Sequence, residues 1–174
     1  MKSVLISINP EWVEKITSGK KTIEVRKSAP KETPFKCYIY CSYGDMKTNY
    51  YLKGRGKVIG EFICDKVMFL TPLWLRGFEM REEILKSICL TNDDLNSYGG
   101  LKTLYGWHIS DLKIYDKPRE LSEFRKSGFM TEEEWLFNLY PNTHCHYDAW
   151  AKKFEITRPP QSWCYVEELC KAQN

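Results

Sequence analysis

The residues with the clearest capacity for chemistry in this sequence are three charged side chains in the octapeptide GKKTIEVR, residues 19–26. Polar and apolar residues alternate after Lys21, which is typical of a half-buried strand. Side chains two apart in a strand point the same way, so Glu24 and Arg26 share a face. Lys21 lies at the turn into this strand, and a bend there would bring its amine into the same pocket.

These side chains can support two kinds of chemistry. A buried Lys21 could act as an amine base or nucleophile, with Glu24 relaying a proton and Arg26 orienting Glu24 or stabilising an oxyanion. That set suits amide hydrolysis at an exocyclic nitrogen. Without proton transfer, Lys21 and Arg26 can contact a phosphate or a base acceptor while Glu24 accepts from an exocyclic amine. The alternative without function is a solvated ion pair on an edge strand.

The residues before the octapeptide predict the elements that position it. Asn9 suits an N-cap, Pro10 suits the first helical position and Glu11 favours the positive helix start. Gly19 stands where a helix commonly ends in a left-handed turn. The predicted order is a strand at residues 3–8, a helix at 10–18 and a strand at 22–27.

Gly19, Lys21, Glu24 and Arg26 match the G-x-K-x-x-E-x-R signature of the ASCH domain, and the sequence resembles the small bacterial and phage-borne members of that family. The resemblance covers most of the chain but not residues 127–150. The other segments that carry it are residues 5–13 (LISINPEWV), 60–62 (GEF), 105–112 (YGWHISDL) and 158–163 (RPPQSW).

The resemblance implies a PUA-like β-barrel that binds RNA or modified nucleobases. Some ASCH members are amidohydrolases of N4-acylated cytidine or ribonucleases. The amidohydrolase members carry a threonine where this sequence has Glu24, and Thr22 lies two residues earlier. We therefore expect an RNA- or modified-nucleobase-binding module. A hydrolase of a modified nucleoside or of RNA is the first alternative, and a protein–protein regulator is the second.

Composition limits the class of protein. A chain of 174 residues with 43% hydrophobic and 14% aromatic residues predicts one globular domain spanning residues 1–174. The net charge of +3 favours a small site for one base over a long track on duplex phosphates. Seven cysteines, an odd number, predict reduced thiols and a cytoplasmic location. No apolar run approaches the ~20 residues of a membrane span.

Four further residues are candidates for the site. Trp107 could stack on a base, or pack in the core. His108, on the opposite face of the same predicted strand, could act as a base or bind the ligand, or be a strand histidine whose hydrogen bonds are satisfied. Glu61 could complete an acid–base set with Lys21, or point to solvent. Arg158 could line the wall of the pocket, or form a buried pair with Asp111.

The segment His144-Cys145-His146 has residue types that bind metals. No second Cys/His pair at finger-like spacing follows it, so the sequence predicts no metal site and no cofactor.

The remaining periodicities predict an α+β domain built on a small mixed barrel of five to six strands, with helices in the connections. Residues 127–150 are an insert that the pattern does not place. The remaining strands are predicted at residues 37–41, 56–67, 104–115 and 162–167, and helices at 79–90, after a capping box at Thr91 and after a second box at Thr131.

Overall fold

Two β-sheets carry the fold, and helices occupy connections between their strands. The computed structural model describes residues 1–44, 54–70, 80–138 and 146–168. Within these residues the strands are β1 (Ser3–Ile8), β2 (Ile23–Arg26), β3 (Phe35–Cys41), β4 (Lys57–Cys64), β5 (Val67–Leu70), β6 (Leu104–His108), β7 (Ser110–Arg119), β8 (Phe124–Lys126) and β9 (Trp163–Glu168). The α-helices there are α1 (Pro10–Thr17), α2 (Glu82–Ile88), α3 (Asn92–Gly99), α4 (Glu132–Asn138) and α5 (Tyr147–Ala151).

The strand order separates the octapeptide from most of the other strands. The larger sheet has the order β7-β4-β3-β1-β9-β8, and the smaller has the order β2-β6-β5. β1 and β3 pair in parallel, and the other pairs are antiparallel. β2 is thus an edge strand of the smaller sheet, so the charged residues of the octapeptide lie on a strand paired on one side only.

Apolar side chains fill the two faces of the smaller sheet. One buried cluster joins β1, α1, β3 and β4 to Trp107 of β6. A second joins Ile23 and Val25 of β2 to Ile88 of α2 and Leu95 of α3. Because Ile23 and Val25 face the helices, Glu24 and Arg26 must face the other way, towards β1 and α1.

The predictions for the first 27 residues are confirmed in order and type. β1, α1 and β2 occur at the predicted places, and Gly19 adopts the left-handed φ of 73° expected where α1 ends. One detail was wrong, because Asn9 makes no side-chain cap. Its Oδ1 instead accepts a hydrogen bond from Ser42 Oγ at 2.9 Å, which ties the end of β1 to the end of β3.

Two long strands predicted from the sequence are each broken into two. The strand predicted at residues 104–115 divides at Ile109 into β6 and β7, which belong to different sheets. Asp111 has a positive φ of 47°, so the alternation of faces does not continue past the break. The strand predicted at 56–67 likewise divides at Asp65 and Lys66 into β4 and β5. Periodicity alone was a poor guide here because both halves remain extended while the chain changes sheets.

Both predicted capping boxes are confirmed. Thr91 N–H donates to Asp94 Oδ2 at 2.9 Å, and Asp94 N–H donates to Thr91 Oγ1 at 3.1 Å. Thr131 and Glu134 repeat this exchange at the start of α4. The helix predicted at 79–90 is shorter, since α2 ends at Ile88 and Cys89 has a left-handed φ of 54°.

The described part of the insert at 127–150 has an aromatic cluster that continues to Phe154. The ring centroids of Trp150 and Phe154 are 4.6 Å apart, and those of Phe129 and Trp150 are 5.8 Å apart. Trp135 and Tyr147 extend the cluster, with centroids 5.9 Å apart. A role for this region in binding a protein partner stays a prediction.

The α+β class is confirmed, with nine strands instead of five to six in the described residues. None of the described helices has both the length and the apolar character needed to cross a membrane.

Candidate functional site

A cavity of about 600 Å³ opens beside the charged edge of β2. Segments that are far apart in sequence meet there: the end of β1, α1, β2, the residues after β3, α3 and the chain before β9. The cavity is lined by Ser7, Asn9, Trp12, Lys21, Glu24, Val25, Arg26, Ser42, Leu90, Asp94, Tyr98, Pro159, Pro160 and Gln161.

The structure brings together the three charged residues of the octapeptide. Glu24 lies between the two cations, with its Oε1 3.0 Å from Arg26 Nη2 and its Oε2 3.6 Å from Lys21 Nζ. Their exposed fractions are 3% for Lys21, 5% for Glu24 and 8% for Arg26, and no other polar or charged residue of the described segments is as fully buried. The predicted bend before β2 places Lys21 on the same side as Glu24 and Arg26, as the sequence required.

Backbone carbonyls hold the two cations in place. Lys21 Nζ donates to the carbonyl oxygen of Ile88 at 2.6 Å, and Arg26 Nη2 donates to that of Ser7 at 2.7 Å. Ile88 is the last residue of α2, so the ammonium satisfies a carbonyl at the helix end that has no partner within the helix. The two cations therefore join β2 to α2 on one side and to β1 on the other.

Two atoms of this group are buried without a hydrogen-bond partner: Glu24 Oε2 and Arg26 Nε. Lys21 Nζ is within ion-pair range of Glu24 Oε2 but too far away for a hydrogen bond. A buried polar atom without a partner costs about 1–3 kcal/mol. One is an acceptor and the other is a donor.

Burial also changes the acid–base properties of Lys21. Loss of hydration lowers the pKa of its ammonium, and the nearby Glu24 carboxylate opposes this shift. Lys21 therefore gives up its proton more readily than an exposed lysine does. This is the property that an amine base or nucleophile needs.

The cavity is also lined by two aromatic side chains that the sequence analysis did not assign to the site. Trp12 comes from the apolar stripe of α1, and its ring centroid lies 5.1 Å from Lys21 Nζ. Tyr98 comes from α3 and is 40% exposed. The helical spacing of Tyr98 from Asp94 shows that the two share a face, but nothing local shows that this face meets β2.

Trp107 lies in the core, which corrects the prediction that it faces the pocket. The residue is fully buried and packs edge-on against Phe35 and Trp163, with centroids 5.0 and 5.7 Å away. It is the cross-strand partner of Glu24 in the β2–β6 ladder, so the two side chains lie on the same face of the smaller sheet. A ring with no exposed surface cannot stack on a base.

His108, Glu61 and Arg158 do not line the cavity. His108 Nδ1 lies 2.7 Å from Asp65 Oδ1, in a largely exposed pair where β4 ends. Glu61 lies on β4, with its Oε1 3.3 Å from Lys36 Nζ, and makes no contact with Lys21. Arg158 is exposed, directly before the lining residue Pro159.

Of the three candidate metal ligands, His146 lies within the described residues. His144 and Cys145 lie outside the described residues, and His146 directly precedes α5. Within the described segments, no three His, Cys, Asp or Glu side chains are grouped as a metal ion would need.

Comparisons with known proteins identify the fold. No protein-family model and no curated protein sequence matches the chain. The crystal structure of ASCH from Zymomonas mobilis matches with a TM-score of 0.56 and 20% identity, over 95% of this chain and 88% of that one. A single-substitution variant of the same protein matches with a TM-score of 0.55 and 20% identity, over 96% of this chain and 91% of that one.

The similarity extends over nearly the whole of both chains. At 20% identity it establishes the fold and no more. The chain therefore has an α+β fold like that of the Zymomonas mobilis ASCH structures, as the octapeptide led us to expect.

Proposed function

We propose that this protein binds a nucleobase, presented by RNA or by a modified nucleoside, in the cavity beside β2. The observation that carries this proposal is the buried Glu24 carboxylate, which lies between two cations in the lining of a cavity of about 600 Å³. That volume lies within the ~300–1,000 Å³ range of small-molecule sites.

Glu24 and Arg26 are complementary to the edge of a base. The Glu24 carboxylate can accept from an exocyclic amine or a ring N–H, while the Arg26 guanidinium can donate to a neighbouring ring nitrogen or carbonyl. Since the carboxylate and guanidinium are already held by neighbours, little ordering cost remains at the time of binding.

The other walls of the cavity suit a base as well. Trp12 contributes an aromatic surface to the cavity, and Pro159 and Pro160, from the segment before β9, add rigid apolar surface. The net charge of only +3 gives no support for a long phosphate track. A single base is thus favoured over an extended duplex.

Isothermal titration calorimetry provides the test. Adenosine, cytidine, guanosine, uridine and N4-acetylcytidine are each titrated into the wild-type protein, into Glu24→Gln and into Glu61→Gln. Glu61→Gln is the matched control, since it makes the same substitution at a partly buried, ion-paired carboxylate outside the cavity. Thermal unfolding of each variant confirms that it is folded at the titration temperature.

We expect at least one nucleoside to bind the wild type, and Glu24→Gln to weaken it by about tenfold to a hundredfold, as for lost charge-assisted hydrogen bonds. Glu61→Gln should leave the affinity unchanged. If no nucleoside binds, or if both variants behave alike, the proposal is wrong. Comparison of cytidine with uridine checks the same point without altering the protein, since the two bases differ in their exocyclic donor.

The lowered pKa of Lys21 favours a second candidate function, hydrolysis of an N4-acylated cytidine. In that reaction water adds to the acyl carbonyl and gives its proton to the Lys21 amine. The bond between the acyl carbon and N4 then breaks, and N4 takes the proton back from Lys21. The products are cytidine and the carboxylic acid. Chromatography of N4-acetylcytidine incubated with wild type and with Lys21→Ala tests this. Cytidine from the wild type alone supports hydrolysis, and no cytidine from either excludes that reaction.

A further inference from the structure

Helix α3 brings two side chains to the cavity that are not part of the octapeptide. Asp94 and Tyr98 are four residues apart, so they stand one above the other on the same face of the helix. Both line the cavity. α3 packs against β2 through Leu95, which belongs to the same buried cluster as Ile23 and Val25. The position of this face relative to Glu24 is therefore set by the core.

Tyr98 offers the cavity a large aromatic surface. The residue remains 40% exposed although it lines the cavity. Lys27 Nζ lies 4.7 Å from the ring centroid, and Lys27 is not a lining residue. The ammonium is therefore within cation–π range of the ring. An open aromatic surface next to a hydrogen-bonding group suits a flat ring that stacks.

Asp94 keeps a negative charge at the cavity wall. Its Oδ2 accepts from Thr91 N–H at 2.9 Å and from Thr91 Oγ1 at 2.7 Å. These bonds orient the carboxylate and lower the pKa of Asp94, so it is ionised throughout the neutral range. The capping box that begins α3 therefore also fixes an anion at the site.

The charges around the cavity balance. Its lining includes two cations, Lys21 and Arg26, and two anions, Glu24 and Asp94. Both cations are already paired with Glu24 and hydrogen-bonded to backbone carbonyls. A phosphate in this cavity would meet two carboxylates and two cations that already have an anionic partner. An uncharged base would meet no such penalty.

We propose that α3 makes the cavity selective for an uncharged aromatic ring, with Tyr98 as the stacking surface and Asp94 as the charge that keeps phosphate outside. This inference rests on the proposed function and narrows its ligand to a nucleoside, or to a base whose phosphates stay beyond the rim.

Calorimetry with matched ligands and variants tests the inference. The five nucleosides named above are each compared with their own 5′-monophosphate, at low ionic strength so that the charge effect is not screened. The variants are Tyr98→Ala and Asp94→Asn. Phe69→Ala is the control for truncation of an exposed aromatic, and Asp93→Asn is the control for loss of one carboxylate from the first turn of α3. Neither control residue lines the cavity.

We expect the wild type to bind the nucleoside more tightly than its monophosphate. Tyr98→Ala should weaken nucleoside binding by about fivefold to a hundredfold, in line with the loss of one stacking contact. Asp94→Asn should shift the nucleoside-to-monophosphate preference towards the monophosphate by about threefold to tenfold. The two controls should change neither quantity.

The failures of the two proposals differ. If no nucleoside binds, the proposed function fails and the selectivity of α3 fails with it. If a nucleoside binds but the monophosphate binds more tightly, or if Tyr98→Ala and Asp94→Asn match their controls, only the inference about α3 is overturned. Tyr98 and Asp94 are both exposed, but the Asp94 carboxylate also closes the capping box of α3. Thermal unfolding of each variant therefore checks that it is folded at the titration temperature.

Discussion

Replacement of Glu24 by glutamine should destabilise the protein strongly, whatever the ligand. The carboxylate is the partner of both Lys21 and Arg26 in a site where none of the three side chains is more than 10% exposed. Glutamine has nearly the same shape, so the substitution removes the charge and leaves the packing in place. Two buried cations then share a site with no buried anion among the described residues.

The magnitude follows from the two distances. At an effective dielectric constant of about 20, unit charges interact by about 5.5 kcal/mol across the 3.0 Å to Arg26 and about 4.6 kcal/mol across the 3.6 Å to Lys21. Neutral glutamine forfeits this attraction of about 10 kcal/mol, but it also avoids a desolvation cost of several kcal/mol. We expect a net loss of about 3–5 kcal/mol, the usual result of breaking a buried ion pair. For a chain of this size the melting temperature should fall by about 6–20 °C.

Urea unfolding followed by circular dichroism measures this loss, with Glu61→Gln as the control. Glu61 is partly buried; among the described residues it pairs with Lys36 alone, and it accepts a hydrogen bond from the Tyr115 hydroxyl. Glutamine can still accept that hydrogen bond, so neutralisation of Glu61 should cost about 1 kcal/mol, well below the loss at Glu24. Adding Lys21→Met to Glu24→Gln should recover part of the stability, since it removes one of the two unpaired cations. Equal shifts of the urea midpoint for Glu24→Gln and Glu61→Gln, or no recovery in the double variant, would refute the electrostatic reasoning.

Three further predictions follow from the geometry outside the cavity. Trp107→Ala should lower the free energy of unfolding, measured by urea unfolding, by about 3–5 kcal/mol, because removal of the fully buried ring leaves a cavity in the core. A change in ligand affinity with unchanged stability would contradict the placement of Trp107 in the core. Gly60→Ala should cost about 1–3 kcal/mol in the same assay, since the new Cβ would lie 2.5 Å from the backbone oxygen of Lys113 and separate β4 from β7; a neutral effect would show that the ladder can shift. Burial raises the pKa of the Cys64 thiol to about 12, so the folded state keeps a proton that the unfolded chain loses above about pH 8.5. The stability that this group contributes is present below that pH and is lost as the pH rises towards about 12. Cys64→Ala should therefore reduce the fall in the free energy of unfolding between pH 8 and pH 10. An equal fall in the wild type and the variant would contradict this prediction.

The sequence was a good guide wherever the physics is local. Residues two apart in a strand share a face, so Glu24 and Arg26 could be placed together from the sequence. The turn that follows Gly19 allowed Lys21 to be placed beside them. The capping boxes at Thr91 and Thr131 were legible for the same reason, since each is closed by side chains and backbone three residues apart. The ASCH fold was predicted from the octapeptide and the segments that accompany it.

Sequence reasoning failed where the answer depended on what a face packs against. Trp107 is the cross-strand partner of Glu24 and lies on the same face of the sheet. Only the packing of Phe35 and Trp163 against it shows that the ring is enclosed. The break at Ile109 was also invisible, because both halves of the segment have the alternation of a strand. Glu61 was assigned to the set with Lys21 on residue type alone, and the sheet order places the two apart.

The sequence by itself determined which residues share a face: the charged row on β2, the Asp94 and Tyr98 face of α3 and the apolar stripe of α1 that holds Trp12. Only the tertiary structure decided that these three faces meet around one cavity and that Lys21, Glu24 and Arg26 are buried there. The physical reason is that side-chain direction is set by backbone periodicity within a few residues, whereas burial and opposition of faces depend on contacts between segments far apart in the chain.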